Sequence, residues 1–172
     1  LNVNRGDIRQ ALSRLLAEGT VIRGEKGGFF ARDYNPQEVE EIIEVRLILE
    51  TAAARLAAAR ATAEELRQLD EICDHMQLMA ENAYEMGFTE ADVRFHQLLV
   101  QAAHNRELAH TYMHANIPIA ATSSHNSQDL REKLLDNARD HRSIVHSLRE
   151  HEPEKAVQLL INGFHKKSLV VL

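Results

Sequence analysis

The chain has 172 residues, enough for one full domain or for one domain and a fragment of another, and 44% of them are hydrophobic. No apolar run is long enough to span a bilayer, no basic segment followed by an apolar one stands at the N-terminus, and the single Cys73 cannot form an internal disulfide. These features argue against a membrane partner or a secretory signal and predict a soluble protein of the reducing cytoplasm.

The absence of Trp, the few Gly and Pro, and the abundance of Ala, Leu, Glu and Arg predict an all-α protein. The formal charge of −6 is unevenly spread. Residues 1–33 hold six Lys/Arg against four acids, whereas residues 34–172 set 14 bases against 22 acids. A basic piece joined to an acidic one suggests that only the first touches nucleic acid, although a surplus of two charges decides little alone.

Asn4 to Glu18 reads as a helix, with Asn4 as N-cap, Asp7 near the positive end of the dipole and Gly19 as terminator. Ile8, Ala11, Leu12, Leu15 and Leu16 follow the helical period, and Arg5, Arg9 and Arg14 lie elsewhere. Thr20–Arg23 and Gly28–Ala31 then read as two short strands joined by Gly24-Glu25-Lys26-Gly27, a hairpin with a basic tip. Helix followed by hairpin is the second half of a winged helix-turn-helix, whose helix enters the major groove and whose wing touches the backbone.

Asn35-Pro36-Gln37-Glu38 is a helix start with a capping Asn, Pro at the first position and an acid in the first turn. The helix it opens runs to about Ala59, with Val39, Ile42, Ile43, Arg46, Leu49, Ala53 and Leu56 on or near one face. Thr62-Ala63-Glu64-Glu65 is a capping box opening a second helix to about Met86, with Leu66, Leu69, Ile72, Cys73 and Met76 inward. A third starts at Thr89. Asn105 caps a fourth that meets Pro118, a fifth runs from about Gln128 to Glu150, and the last starts at Pro153.

The third helix sets Asp92 and His96 one turn apart beside Phe95, Leu99 and Ala103. In the fifth, Leu134, Ala138, His141, Val145 and Leu148 step by four and three, so His141 lies in the apolar stripe. In the last, Ile161, His165 and Leu169 share a line beside Phe164. One carboxylate and three imidazoles inside a bundle would each cost roughly 1–3 kcal/mol if left unpaired, and a divalent ion removes that cost. Each residue also has an ordinary reading: Asp92 as the acid of a capping box begun by Thr89, and each His as a hydrogen-bonded core residue. His110 and His114 form a rival i, i+4 pair without an evident carboxylate partner. His146 shares a face with Arg139, Arg142 and Arg149. His75, His104, His125 and His151 read as surface or loop residues, and Cys73 as inert core.

Two stretches resemble a known family. Leu1 to Val21 resembles the recognition helix of GntR-superfamily transcription regulators, through Arg5, Arg9, Ala11, Leu12, Arg14, Leu15, Glu18 and Gly19. The resemblance implies that Arg5 and Arg9 contact DNA, and from the wing Lys26 and Gly27 carry over. Gly6 and Asp7 depart from the usual Thr-Pro. A complete winged helix-turn-helix has two helices before this one, so residues 1–33 are expected to be part of a DNA-binding domain whose operator binding needs the rest.

Residues 34–172 resemble the FCD effector domain of the FadR-type branch, through Glu44 to Glu50, Asp92-Val-Arg-Phe-His96, Ala103-His104-Asn105 and Asp140-His141-Arg142-Ser143-Ile144. The resemblance implies an antiparallel bundle of about six helices that dimerises, and a metal held by Asp92, His96, His141 and His165. Zinc, nickel, manganese or iron suits imidazole and carboxylate ligands. It further implies that Arg46 pairs with a small carboxylate effector completing the coordination; an intrahelical pair with Glu50 is equally available to Arg46. The expected protein is a homodimeric bacterial transcription regulator. The alternative is a metal-dependent enzyme acting on small organic acids, against which stands the lack of a His-Glu-x-x-His pair, a nucleophile context or a phosphate-binding Gly loop.

Overall fold

The computed structural model describes residues 4–17, 19–114 and 130–168, with side chains described through Met113 and from Leu130 through Phe164. The chain divides into two compact units, Leu1–Asn35 and Pro36–Leu172. The division falls two residues beyond the one expected from sequence, at the proline that opens the long helix.

In the first unit, helix α1 (Arg5–Ala17) is followed by strands β1 (Val21–Arg23) and β2 (Phe29–Ala31). Asn4 caps α1 by accepting the Gly6 amide on its side chain at 3.0 Å. Gly19, at φ 72°, ends it, because the Thr20 amide must reach back to the Leu15 carbonyl through a left-handed residue. The strands pair antiparallel with Ile22 opposite Phe30. Gly24 faces the Phe30 ring so closely that a Cβ there would stand 2.5 Å from it. Helix α1 buries none of its side chains within this unit, and Ile8 and Leu16 are exposed.

The second unit is a bundle of α2 (Pro36–Arg60), α3 (Ala63–Glu81), α4 (Glu85–Gln101), α5 (Arg106–His114), α6 (Leu130–Arg149) and α7 (Pro153–Ser168). Helix α2 packs on α7 and α4, α3 on α4 and α6, and α6 also on α7, while α5 lies against α4 and α2. The 25 residues of α2 span roughly 37 Å at 1.5 Å per residue, long enough to touch most of the bundle. Its buried Val39, Ile43, Arg46, Glu50, Ala53 and Ala57 repeat by four and three, and the small Ala53, Ala54, Ala57 and Ala58 let neighbouring helices come close. Surface ion pairs fasten the helices at the rim: Arg55 to Glu154 joins α2 to α7, and Arg142 with Arg149 joins α6 to Asp70 and Asp74 of α3.

Helix α3 opens on the expected capping box, Thr62 and Glu65 exchanging bonds at 3.2 and 2.8 Å. It ends at Glu81, five residues sooner than expected, and α4 begins at Glu85 instead of Thr89. The reason is a left-handed turn at Ala83 (φ 50°), where the Tyr84 amide bonds the Met79 carbonyl and the Ala83 amide bonds Ala80. Thr89 therefore lies inside a helix, and the capping-box reading of Asp92 is removed. Asn105 caps α5 by accepting the Leu108 amide at 3.1 Å. The turn expected at Pro118, His125 and the start of the fifth helix before Leu130 lie outside the described residues.

Candidate metal centre

Three helices bring the chemistry together. Helix α4 contributes Asp92 and His96, α6 contributes His141 and α2 contributes Arg46 and Glu50, all buried. Each sits in its helix's core stripe, so the packing that forms the bundle also gathers these polar groups. His165 lies in helical backbone of α7, one residue beyond buried Phe164, and its side chain is outside the described set.

Asp92, His96 and His141 form the tight cluster. His141 Nε2 is 3.2 Å from Asp92 Oδ1 and 3.3 Å from His96 Nε2, and His96 Nε2 is 3.7 Å from Asp92 Oδ1. A circle through three atoms at those separations has a radius of about 2.0 Å, close to the zinc–nitrogen and zinc–oxygen bond lengths of about 2.0–2.2 Å. One ion can thus touch all three.

The protons agree with that fit. His141 Nδ1 lies 2.8 Å from the Asn137 carbonyl, which can only accept, so Nδ1 carries the proton and neutral His141 presents a lone pair at Nε2. His96 Nδ1 lies 2.6 Å from Glu50 Oε2, in ionic contact although the two are not well aligned for a hydrogen bond. A bare nitrogen lone pair that close to a carboxylate oxygen would be repelled, so this Nδ1 is protonated as well. With both rings neutral, two Nε2 lone pairs and a carboxylate oxygen converge on one point. Such a set requires a cation, or a further proton when no ion is bound. Burial by itself lowers the His96 pKa, but the charges of Glu50 and Asp92 outweigh it and raise the value above 6.5.

Around the donors stands a second layer. Arg46 Nε donates to Glu50 Oε1 at 2.9 Å and the Tyr112 hydroxyl donates to the same oxygen at 2.8 Å. Burial would raise the Glu50 pKa; His96 and Arg46, with the hydrogen bond from Tyr112, hold it at about 2. The Arg46 guanidinium lies 4.8 Å from the Phe164 ring, and Phe95 meets His141 edge-on at 4.5 Å. These aromatics form apolar walls, and they strengthen each charge interaction inside.

The remaining positions are separate. Arg5 and Arg9 are exposed on α1, and Lys26 and Gly27 are exposed at the hairpin tip, where Gly27 takes φ 88°. His110 and His146 are exposed, and His75 lines a surface groove with Arg94 and Gln97. His104 pairs with Glu65 at 3.0 Å, and His151 Nδ1 donates to the Ala58 carbonyl at 2.6 Å. The side chain of His114 lies outside the described residues. Cys73 is buried in α3.

From the sequence, Glu50 is expected only as a partner for Arg46 and not as part of the centre. Its signal was present: along α2 the stripe 39, 43, 46, 50, 53, 57 puts a carboxylate at a core position.

The FCD domain family matches residues 41–164. The Galactonate operon transcriptional repressor of Escherichia coli K12 is 30% identical over 132 residues, covering 73% of this chain and 54% of that protein. A probable D-xylose utilization operon transcriptional repressor of Paenarthrobacter nicotinovorans is 30% identical over 162 residues, covering 93% of this chain and 70% of that one. The chain thus spans from about half to about two thirds of the length of these relatives. Among solved structures, E. coli McbR/YncC superposes with a TM-score of 0.84 at 16% identity, over 99% of this chain and 86% of that one. The metal-free FCD domain of TM0439 does so at 0.63 and 21%, over 83% and 95%. At such identities the structural matches establish the fold alone.

Proposed function

This chain belongs to the FCD-domain family of GntR-type transcription regulators, and from that premise we propose that it is the sensing part of a homodimeric, cytoplasmic regulator controlled by a divalent metal and a small carboxylate. Family membership places it among DNA-binding regulators and not among enzymes. The observation that carries the sensor reading is the convergence of Asp92 Oδ1, His96 Nε2 and His141 Nε2 on a point about 2 Å from each. His165 is the proposed fourth ligand. A bound transition metal such as zinc, nickel, manganese or iron supplies the missing positive charge and, with five or six positions, room for an oxygen ligand.

Arg46 is the proposed second contact for the effector's carboxylate. A guanidinium presents its five N–H donors in a planar fork that matches a carboxylate, and the bond to Glu50 uses the Nε donor. One relative is named for a galactonate operon, which concerns a sugar acid, but another is named for D-xylose, a neutral sugar. The carboxylate class therefore rests on the metal and Arg46 more than on relatives' names.

Control of DNA follows by linkage. An effector that prefers one arrangement of the bundle shifts the population toward it, and in a dimer that alters the spacing of the two DNA-binding heads. Arg5 and Arg9 are the proposed operator contacts, with Lys26 and Gly27 on the flanking backbone. The test is metal content by elemental analysis after incubation with zinc, nickel or manganese, on the native chain and on a His141→Ala, His165→Ala double variant. About one ion per chain, lost in the variant, followed by carboxylate-dependent thermal shifts, is the expected result. A folded native protein that takes up no metal overturns the reading.

A further inference from the structure

We propose that Glu50 is the positioning residue of the metal centre: it holds the His96 imidazole so that Nε2 faces Asp92 and His141, and Tyr112 with Arg46 holds Glu50. The inference rests on the metal-sensor reading above and adds to it Glu50 of α2 and, through Tyr112, helix α5.

The two imidazoles are fixed in different ways. His141 is oriented from its own helix, through the Asn137 carbonyl one turn back. His96 is oriented by a side chain from another helix, Glu50 of α2, at 2.6 Å. Glu50 stands on the Nδ1 side of the ring, whereas Asp92 and His141 face Nε2, so it is a partner of the ligand and not a fourth donor. A carboxylate on the far nitrogen of a metal-bound imidazole sets the tautomer and makes the ligating nitrogen more basic.

The arrangement around Glu50 fits that task. Both Arg46 and Tyr112 donate to Oε1, which turns Oε2 toward His96. A fully buried carboxylate is costly unless paired, and every partner named here lies on a different turn or helix: Arg46 on α2, Tyr112 on α5, His96 on α4. Tyr112 to Glu50 to His96 is thus a continuous path from α5 to the ion. A metal that fixes His96 also fixes Glu50, and through it the seat of α5 on the bundle.

The test measures zinc affinity by competition with a chromophoric chelator for the wild type, Glu50→Gln and Tyr112→Phe, with Glu64→Gln on the exposed face of α3 as control. Expected are a fall on the order of 10–100-fold for Glu50→Gln at unchanged stoichiometry, a fall of a few-fold for Tyr112→Phe, and none for Glu64→Gln. Long-range 1H–15N correlation of the zinc-loaded wild type supplies a readout that stability does not move: it should show His96 protonated at Nδ1 and bound through Nε2. If Glu50→Gln does not fold, Tyr112→Phe and the imidazole spectrum still decide. Wild-type zinc binding with no loss in either folded variant, or coordination through Nδ1, overturns this inference and leaves the metal reading standing. A folded wild type that binds no zinc overturns both.

Discussion

Glu50 has three partners and Arg46 is one of them, so removing the two residues should have unequal effects. Both are fully buried and 2.9 Å apart. Breaking a buried pair by deleting one member typically costs about 3–5 kcal/mol, because the other charge is left without its counter-ion. Arg46→Met leaves Glu50 with Tyr112 at 2.8 Å and His96 at 2.6 Å, which can carry the compensating charge as an imidazolium, so its cost should sit at or below the lower limit, about 3 kcal/mol. Glu50→Leu removes at once the acceptor of Arg46 and Tyr112 and the charge partner of His96, and should reach the upper limit, about 5 kcal/mol. Joined as Arg46→Met with Glu50→Leu, the pair is replaced by apolar groups, and the double variant should be more stable than Glu50→Leu alone. The assay is urea unfolding of chelator-treated protein followed by circular dichroism, closed as a double-mutant cycle. Equal costs for the two single variants, or a double variant as unstable as their sum, would refute the reasoning, since either means that the charges do not depend on one another.

Three further outcomes follow from single residues. Glu50, held at about 2 against an ordinary 4.5, contributes stability that is present above pH 4.5 and lost as pH falls toward 2; His96, raised above 6.5, contributes stability that is present below 6.5 and lost as pH rises through its folded value. Chelator-treated protein should therefore melt highest between about pH 4.5 and 6.5, and a melting temperature that climbs steadily to pH 9 would contradict this. Cys73, which burial pushes up to about 12, should remain unmodified by a disulfide reagent at pH 8 in the native protein and react at once in denaturant. Ala83→Gly should stabilise the bundle by roughly 0.5–1 kcal/mol in urea unfolding, since the left-handed φ of 50° burdens a residue with a Cβ; a destabilised variant would show that the turn is not strained.

Local chemistry explains what the sequence made legible. Caps act within one turn, so Thr62 with Glu65, Asn105, Asn4 and Gly19 could be placed from neighbouring residues, and each is found as expected. The break between α3 and α4 was misplaced because its turn residue is Ala83, not a glycine or proline. The Asn82 side chain helps end α3 by donating to the Leu78 carbonyl at 2.8 Å, a bond that Asn makes in loops and helix ends alike and that therefore carries little positional information. His151 shows the same limit: its φ of 55° goes with a bond to Ala58, 93 residues away, which no local window contains.

The candidate site divides along the same line. Periodicity put Asp92, His96 and His141 on inward faces, because a helical stripe is a property of one segment, and the structure brings those three within 4.8 Å of one another. Periodicity could not say which groups oriented them. The relation of Arg46, Glu50, Tyr112 and His96 is between helices, and along α2 two stripes compete: one through Leu49 and Leu56, the other through Glu50 and Ala57. Hydrophobicity favours the first, yet in the structure Leu49 and Leu56 are only partly buried while Glu50 and Ala57 are buried. The small alanines at 53, 54, 57 and 58 decide the matter, since the side of α2 that presents them is the side another helix can approach most closely. A charged residue in register with such alanines is thereby carried into the core, where desolvation is tolerated only with partners from other helices. In α2 that combination, an acid in step with a run of buried small residues, is what marks Glu50 as the residue proposed to hold His96 in place.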